Sequence, residues 1–183
     1  EVIVEIDWPQ LEGITQTENI NIGSNDPDES VVTVPVTAVP LGMPDLNIQS
    51  ENVVPANVKP GGSLNASCDV FNQGTADADS SNLKYYLSAN CNYDNGDLEL
   101  GSDALDSLKS GQLSSQNATL IIPENTASGS WFILFFADAD LQVAESNEDN
   151  NVNCSQIEVQ AVWPDLVVQN QYVDPTIVLQ GGI

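Results

Sequence analysis

Residues 44–63 of this 183-residue chain recur in partly identical form at residues 164–183. The tripeptide Pro44-Asp45-Leu46 returns at positions 164–166, and nine of the twenty positions from 44 to 63 are identical 120 residues later. Recurrence at one fixed offset is typical of proteins built from repeated modules. It predicts one complete unit over residues 43–161 and the opening strand of a following unit over residues 162–183.

Short stretches of alternating apolar and polar residues run through the central unit, and this is the pattern of strands with one buried face. Leu83, Tyr85 and Leu87 show the alternation, while the continuous apolar run at 131–137 predicts a central strand. Turn residues bound the strands, and no long stretch has a helical period. The pattern predicts an all-β, immunoglobulin-like β-sandwich.

The first part of the chain, residues 1–42, has strand patterns but too few apolar residues for a core of its own. Alternation is visible over residues 1–6, 17–22 and 31–39, and turn-forming residues separate the last two stretches. These two stretches are therefore predicted to form a hairpin. We expect residues 1–42 to be the C-terminal strands of a preceding immunoglobulin-like domain.

The charge of the chain argues against several classes of function. There are 27 acidic residues, three lysines, no arginine and no histidine, so the formal net charge is −24. Such a polyanion repels nucleic acids and anionic membrane surfaces. Without histidine, the commonest general base and metal ligand is missing. We expect no nucleic-acid binding, no membrane insertion and no enzymatic activity.

The central unit contains several distinctive motifs. They include Pro44-Asp45-Leu46, Asn72-Gln73-Gly74, Tyr85-Tyr86-Leu87-Ser88, Ala137-Asp138-Ala139-Asp140 and Val143-Ala144-Glu145-Ser146-Asn147-Glu148-Asp149-Asn150-Asn151. With these motifs, residues 43–161 resemble CARDB, the cell-adhesion-related domain found in bacteria. Residues 162–183 are similar to the start of a second CARDB repeat. Residues 1–42 are similar to the tail of an ASH or choice-of-anchor D-like domain.

The resemblance implies a non-catalytic structural or adhesion repeat segment of a large secreted or cell-surface prokaryotic protein, such as a stalk or a filament subunit. Its expected location is extracellular. The expected partners are neighbouring domains or copies of the same chain, joined by strand addition. The alternative function is a calcium-dependent carbohydrate- or surface-binding module. A hydrolase with two catalytic carboxylates is a third hypothesis, but no sequence motif defines such a pair.

Two groups of oxygen-bearing residues are candidate Ca²⁺ sites, because carboxylate and amide oxygens are the ligands that this ion prefers. The first group comprises Asn90, Asn92, Asp94 and Asp97, and the second comprises Asp138, Asp140, Glu145 and Glu148. Both groups have an alternative interpretation, in which Asn and Asp form turns and hydrogen-bond to nearby backbone amides. The alternative is favoured for both.

Three cysteines, Cys68, Cys91 and Cys154, allow three different single disulfides. Cys68 shares the inward phase of its strand, whereas Cys154 is out of phase with Ile157 and Val159. In an oxidising compartment one bond is expected. The prediction is Cys68 with Cys154, which leaves Cys91 in an exposed loop; three reduced thiols are the alternative.

Asn65, Asn117 and Asn153 each begin a triplet of the N-glycosylation form, Asn-X-Ser or Asn-X-Thr. Such triplets are common by chance, so they carry no functional prediction at this level.

Overall fold

A computed structural model describes residues 16–23, 25, 27–28, 31–38, 41–163, 165–167 and 169. All of the regular secondary structure in these ranges is β-strand, and no helix in them could span a membrane. The ten strands are β1 (Gln16–Gly23), β2 (Val31–Ala38), β3 (Leu46–Val54), β4 (Asn57–Val58), β5 (Ser63–Asn72), β6 (Ser81–Ser88), β7 (Leu98–Leu105), β8 (Leu113–Ile121), β9 (Gly129–Ala137) and β10 (Val152–Val159).

Strands β3 to β10 form two sheets that pack face to face. The larger sheet has the order β4-β10-β9-β6-β7, and the smaller sheet has the order β3-β5-β8. All neighbouring strands in them are antiparallel except β4 and β10, which are parallel. The predicted all-β sandwich is confirmed, and the apolar run at 131–137 is a central strand because β9 lies between β10 and β6.

The core between the two sheets is built from the alternating apolar residues. Tyr85, Ile133 and Phe135 from the larger sheet are fully buried, and Leu64 and Val70 face them from the smaller sheet. The rings of Tyr85 and Phe135 meet edge to face with their centroids 5.6 Å apart. Burial of these large side chains is the main source of stability for a domain of this size.

The hairpin predicted in the first part of the chain is present. β1 and β2 pair antiparallel from Gln16 opposite Ala38 to Gly23 opposite Val31, and they form a separate two-stranded sheet. Its assignment to a preceding domain stays a prediction. The strand predicted over residues 1–6 lies outside the described residues, as does most of the opening strand predicted over residues 162–183.

Candidate functional site

The second group of acidic residues begins with a tight turn at the end of β9, centred on Asp138. Asp138 is completely buried and has a φ of 47°. Its two carboxylate oxygens accept hydrogen bonds from the backbone N–H groups of Gln142 and Val143, both at 2.9 Å, and its carbonyl accepts one from Leu141 at 2.8 Å. Burial raises the pKa of Asp138, while the two backbone donors oppose that shift.

Glu145 lies further along the same segment, and its carboxylate is also buried. Its Oε2 accepts a hydrogen bond from the Leu46 backbone N–H at the start of β3. Its Oε1 accepts one from Asn151 Nδ2 at 2.8 Å, and Glu148 Oε1 accepts one from the Glu145 N–H at 3.0 Å. Burial raises the pKa of Glu145 to about 7.

The residues before β3 complete this arrangement from the other side. The Asp45 carboxylate accepts hydrogen bonds from Asn150 Nδ2 at 2.7 Å and from the Ser146 hydroxyl at 3.3 Å. The Ser146 N–H donates to the Pro44 carbonyl at 2.9 Å. We call residues 44–46 and 145–151 the corner. Two separate motifs of the sequence thus bind each other at one end of the sandwich.

Asp140 lies on the solvent side of the turn and binds different groups. Its Oδ1 accepts a hydrogen bond from Lys84 Nζ at 2.7 Å, and its Oδ2 accepts one from Asn82 Nδ2. Lys84 Nζ also lies 3.7 Å from Glu99 Oε2. The Lys84 hydrogen bond lowers the pKa of Asp140, and the same bond raises the pKa of Lys84.

The four acids predicted as a second metal site therefore have separate structural roles. Asp138 and Glu145 bind buried backbone amides, Glu148 caps Glu145, and Asp140 pairs with Lys84. No group of three or more Asp, Glu, Cys or His side chains in the described part of the chain could hold a metal ion. The arrangement matches the turn-forming alternative, and calcium at these residues stays a prediction.

The first group of candidate ligands lies in the loop between β6 and β7. Asn90 Oδ1 accepts a hydrogen bond from the Asn92 N–H at 2.8 Å, and Asp94 Oδ1 accepts one from the Gly96 N–H at 2.6 Å. Asp97 Oδ2 accepts the Asp94 N–H at 2.9 Å. Each of these bonds spans two or three residues, which is how Asn and Asp side chains stabilise turns. Calcium binding at this loop also stays a prediction.

The disulfide joins Cys91 to Cys154, so the predicted Cys68–Cys154 pairing is wrong. Cys68 points from β5 into the core and remains a buried free thiol, with its pKa raised to about 12 mainly by burial. Cys154 points to the outer face of the larger sheet, because it is out of phase with the inward residues Ile157 and Val159. The side chains of Cys68 and Cys154 therefore lie on opposite sides of the larger sheet, and the β6–β7 loop brings Cys91 to Cys154.

The same loop covers an apolar area on that outer face. Tyr93 packs against Tyr86 and Phe136, with ring centroids 4.9 Å and 5.0 Å apart. Tyr86 and Leu134 lie opposite each other in the β6–β9 ladder and are buried although they point away from the sandwich core. We call residues 89–97 the strap. The strap, its disulfide and these side chains form a second, smaller apolar cluster.

The aromatic residues of β6 and β9 do not all belong to the sandwich core. Tyr85 and Phe135 are core residues, but Tyr86 and Phe136 belong to the cluster under the strap. Alternation along β6 already places neighbouring residues on opposite faces. The out-of-phase position of Cys154 is the second signal in the sequence that points to the outer face.

Asn72 is a structural residue that the sequence analysis did not single out beyond its motif. It is completely buried, and its side chain makes four hydrogen bonds. Oδ1 accepts from the N–H groups of Asp45 at 3.1 Å and Gly74 at 3.0 Å, while Nδ2 donates to the carbonyls of Ala76 and Leu108, each at 2.9 Å. Asn72 thereby ties the corner to two further loops.

Comparison with known protein families shows which family this domain belongs to. The CARDB family model matches residues 43–155, a range that contains both halves of the corner, the strap, strands β3 to β9 and the first four residues of β10. The chain belongs to the CARDB family. This match confirms the family resemblance that was stated from the motifs. CARDB domains are cell-adhesion-related domains. The corner is formed by two of the motifs that carried this resemblance.

A solved CARDB structure shares the fold. The crystal structure of a CARDB domain from Pyrococcus furiosus, solved in complex with di-metal ions, is 21% identical, with a TM-score of 0.50 over 64% of this chain and 90% of that chain. An NMR structure of a domain from a protein named as a cell surface protein of Methanosarcina acetivorans is 19% identical, with a TM-score of 0.45 over 64% and 93%. No curated protein matched the chain.

Proposed function

We propose that this CARDB chain is a non-catalytic structural and adhesion repeat segment of a large extracellular protein, in which successive sandwiches are joined end to end. The observation that carries the proposal is the recurrence of the corner-forming residues Pro44, Asp45 and Leu46 at positions 164–166. In the first copy, these residues are bound by the Ser146–Asn151 side of the corner. A second copy of the tripeptide implies a second corner.

The charge and the strap support an extracellular location. A net charge of −24 keeps a long chain of domains hydrated and discourages its collapse onto itself. A disulfide between a loop and a strand persists in an oxidising compartment. The partners that this organisation requires are the neighbouring domains of the same molecule and, by strand addition, other copies of the chain.

The lack of catalytic activity is also part of the proposal. The buried acidic side chains, Asp138 and Glu145, use their oxygens to hold backbone amides. A general acid or base needs a carboxyl group that reaches a substrate in a cleft. These two carboxyl groups instead hold the fold together.

Immunolabelling of intact source cells tests the proposal. An antibody raised against the full chain should label unpermeabilised cells, and external protease should remove the label. Beads coated with the chain should adhere to such cells more than beads coated with the heat-unfolded chain. Labelling that requires permeabilisation would contradict the extracellular location, and equal adhesion of both kinds of bead would contradict the adhesive role.

The calcium-dependent alternative rests on a different observation. A CARDB domain of Pyrococcus furiosus has been solved with di-metal ions, and in this chain the exposed Asn92 and Asp94 lie in one loop with the partly exposed Asp97. Glycan-array binding that a chelator abolishes would support the alternative. Array binding that is absent with and without calcium would count against it.

A further inference from the structure

Three asparagines of this chain begin Asn-X-Ser or Asn-X-Thr triplets, and the structure separates them into two kinds. Asn65 and Asn117 are exposed; Asn65 is the third residue of β5, and Asn117 lies in the middle of β8. Asn153 is only partly exposed and lies in β10 next to the disulfide-bonded Cys154. An N-linked glycan is bulky and hydrophilic, so its asparagine must project into solvent in the folded protein.

The two exposed triplets lie side by side in antiparallel register. Asn65 is paired with Thr119, and Ser67 is paired with Asn117, so each acceptor asparagine faces the hydroxyl residue of the other triplet. The Thr119 hydroxyl donates to Asn65 Oδ1 at 2.9 Å. This bond uses Oδ1 of Asn65, whereas Nδ2, the atom to which a glycan attaches, has no hydrogen-bond partner among the described residues.

The centre of the surrounding surface is polar and suited to a hydrophilic substituent, although Leu113 and Ile121 are exposed at its two ends. It is the outer face of the smaller sheet, which is opposite the core residues Leu64, Ala66 and Val70 of β5. Ser115 and Asp69 are joined on it by a hydrogen bond of 2.6 Å. The residues of its central part are Asn65, Ser67, Asp69, Ser115, Asn117 and Thr119. A glycan on this face would not displace any core contact.

In the third triplet, the side chain of the asparagine is already engaged in hydrogen bonds in the folded protein. Asn153 Nδ2 donates to the Ile48 carbonyl at 3.5 Å, and Asn153 Oδ1 accepts a hydrogen bond from the Cys154 N–H at 2.9 Å. The middle residue of the triplet is held by the Cys91–Cys154 bond. A glycan on Asn153 would have to break the contact with β3, so this asparagine is not compatible with glycosylation in the native fold.

We propose that Asn65 and Asn117 are acceptor sites for an N-linked oligosaccharide and that Asn153 is not. The donor class is a lipid-linked oligosaccharide diphosphate. The Nδ2 atom forms a bond to the anomeric carbon and loses a proton, while the bond from that carbon to the phosphate oxygen breaks and the lipid diphosphate leaves with the electron pair. No oxidation or reduction is involved. The inference rests on the export in the proposed function, because such donors are used on exported chains.

The full chain, secreted from a yeast that transfers such oligosaccharides, provides the test. Intact mass is measured before and after treatment with peptide-N-glycosidase, for the parent and for Asn65→Gln, Asn117→Gln, the Asn65→Gln/Asn117→Gln double variant and Asn153→Gln. We expect the parent to lose mass on treatment, each of the first two variants to lose one acceptor site, and the double variant to show no change. Asn153→Gln should match the parent.

Two outcomes would overturn the inference. One is a folded, disulfide-bonded parent that carries no glycan, and the other is a glycan that persists on Asn153 in the double variant. Neither outcome touches the proposed function, because labelling of intact source cells does not depend on a glycan. Conversely, a glycosylated chain that is found only inside its source cells would contradict the proposed function and leave both acceptor sites in place.

Discussion

The carboxylate of Glu145 accepts a hydrogen bond from the backbone N–H of Leu46, 99 residues earlier in the chain. Leu46 begins β3, the first strand of the sandwich, and its side chain is almost completely buried. Glu145 belongs to the segment that leads into β10, the last strand. One buried carboxylate therefore fixes the first strand of the fold against the connection to the last.

Stability should fall as the pH rises through the titration of Glu145. Its native pKa is about 7, whereas its ordinary value is 4.5, so the native state holds a proton that the unfolded state has lost between these two values. The stabilisation from that proton is complete below pH 4.5 and is lost as the pH approaches 7. Urea unfolding at pH values from 4.5 to 7.5 measures the decline.

Glu145→Gln should remove most of that decline. The carboxamide oxygen of the variant can still accept from Leu46, and its NH₂ can donate to Asn151 Oδ1, a buried atom without a hydrogen-bond partner among the described residues. Asp140→Asn is the matched control, because the lowered pKa of Asp140 places its titration below this pH range. A parent protein whose stability is as flat with pH as that of Glu145→Gln would contradict the prediction.

Gly74→Ala should destabilise the domain. A Cβ atom at position 74 would lie 2.4 Å from the Met43 carbonyl oxygen, next to the corner, and 2.5 Å from the Asp45 nitrogen, within the corner. The backbone has to move to relieve such contacts, and we expect a loss of about 2–3 kcal/mol in the free energy of unfolding. Gly101→Ala is the control, since its Cβ would meet only Leu120 at an ordinary 3.5 Å. Equal effects of the two substitutions would contradict the expected backbone clash.

Loss of the disulfide should lower stability without disrupting the core. Cys91 and Cys154 are 63 residues apart, and a cross-link over a loop of that length stabilises a protein by about 2–4 kcal/mol. The Cys91→Ser/Cys154→Ser double variant should lose that amount in chemical unfolding, and a reducing agent should no longer change its stability. Cys68→Ala should keep its sensitivity to the reducing agent, because its disulfide is intact. Insensitivity of the parent to the reducing agent would argue against the Cys91–Cys154 bond.

Removal of the Tyr93 ring should loosen the strap while the disulfide remains. Tyr93→Ala loses the contacts with Tyr86 and Phe136, and we expect a loss of about 1–3 kcal/mol. Hydrogen exchange should become faster in residues 89–97 and remain slow at Phe135 in the core. Tyr93→Phe keeps the ring and should behave as the parent does. An unchanged exchange pattern in Tyr93→Ala would show that the strap does not depend on this ring.

Calcium and excess EDTA should give the same unfolding midpoint at fixed ionic strength. The candidate oxygens of Asp138 and Glu145 already bind backbone amides, and those of Asp94 and Asp97 stabilise the turns of the strap. A ligand that binds only the native state raises its stability, so a rise in the midpoint with calcium would establish a site. The substitution Asp94→Asn or Asp138→Asn that abolishes such a rise would then identify the loop.

The alternation of apolar and polar residues was sufficient to predict the sandwich, because in a strand every second side chain points to the same face. It placed Leu83, Tyr85 and Leu87 in the core correctly. It could not show that a loop covers the outer face, since parity assigns Tyr86 to that face without saying what lies above it. The phase of Cys154 already argued against a bond to Cys68, but the sequence did not show that the loop carrying Cys91 lies over Cys154, so the disulfide was mispredicted.

The corner illustrates a second limit of sequence reasoning. The density of acids between Asp138 and Glu148 was visible, and both metal binding and turn formation were consistent with it. The deciding partners are backbone groups: the neighbouring amides of Gln142 and Val143, and the distant amide of Leu46. Any residue carries a backbone N–H, so no residue type in the sequence marks Leu46 as the partner of Glu145.

The parallel pairing of β4 with β10 has a mechanical consequence. The chain enters the sandwich beside Leu46 at the corner and leaves it after Val159, at the far end of β10, where Gln160 N–H donates to the Val58 carbonyl at 2.8 Å. Tension applied between these two points acts parallel to the strands and therefore perpendicular to the hydrogen bonds between them. Those bonds would be loaded together in shear, and not opened one at a time from an edge.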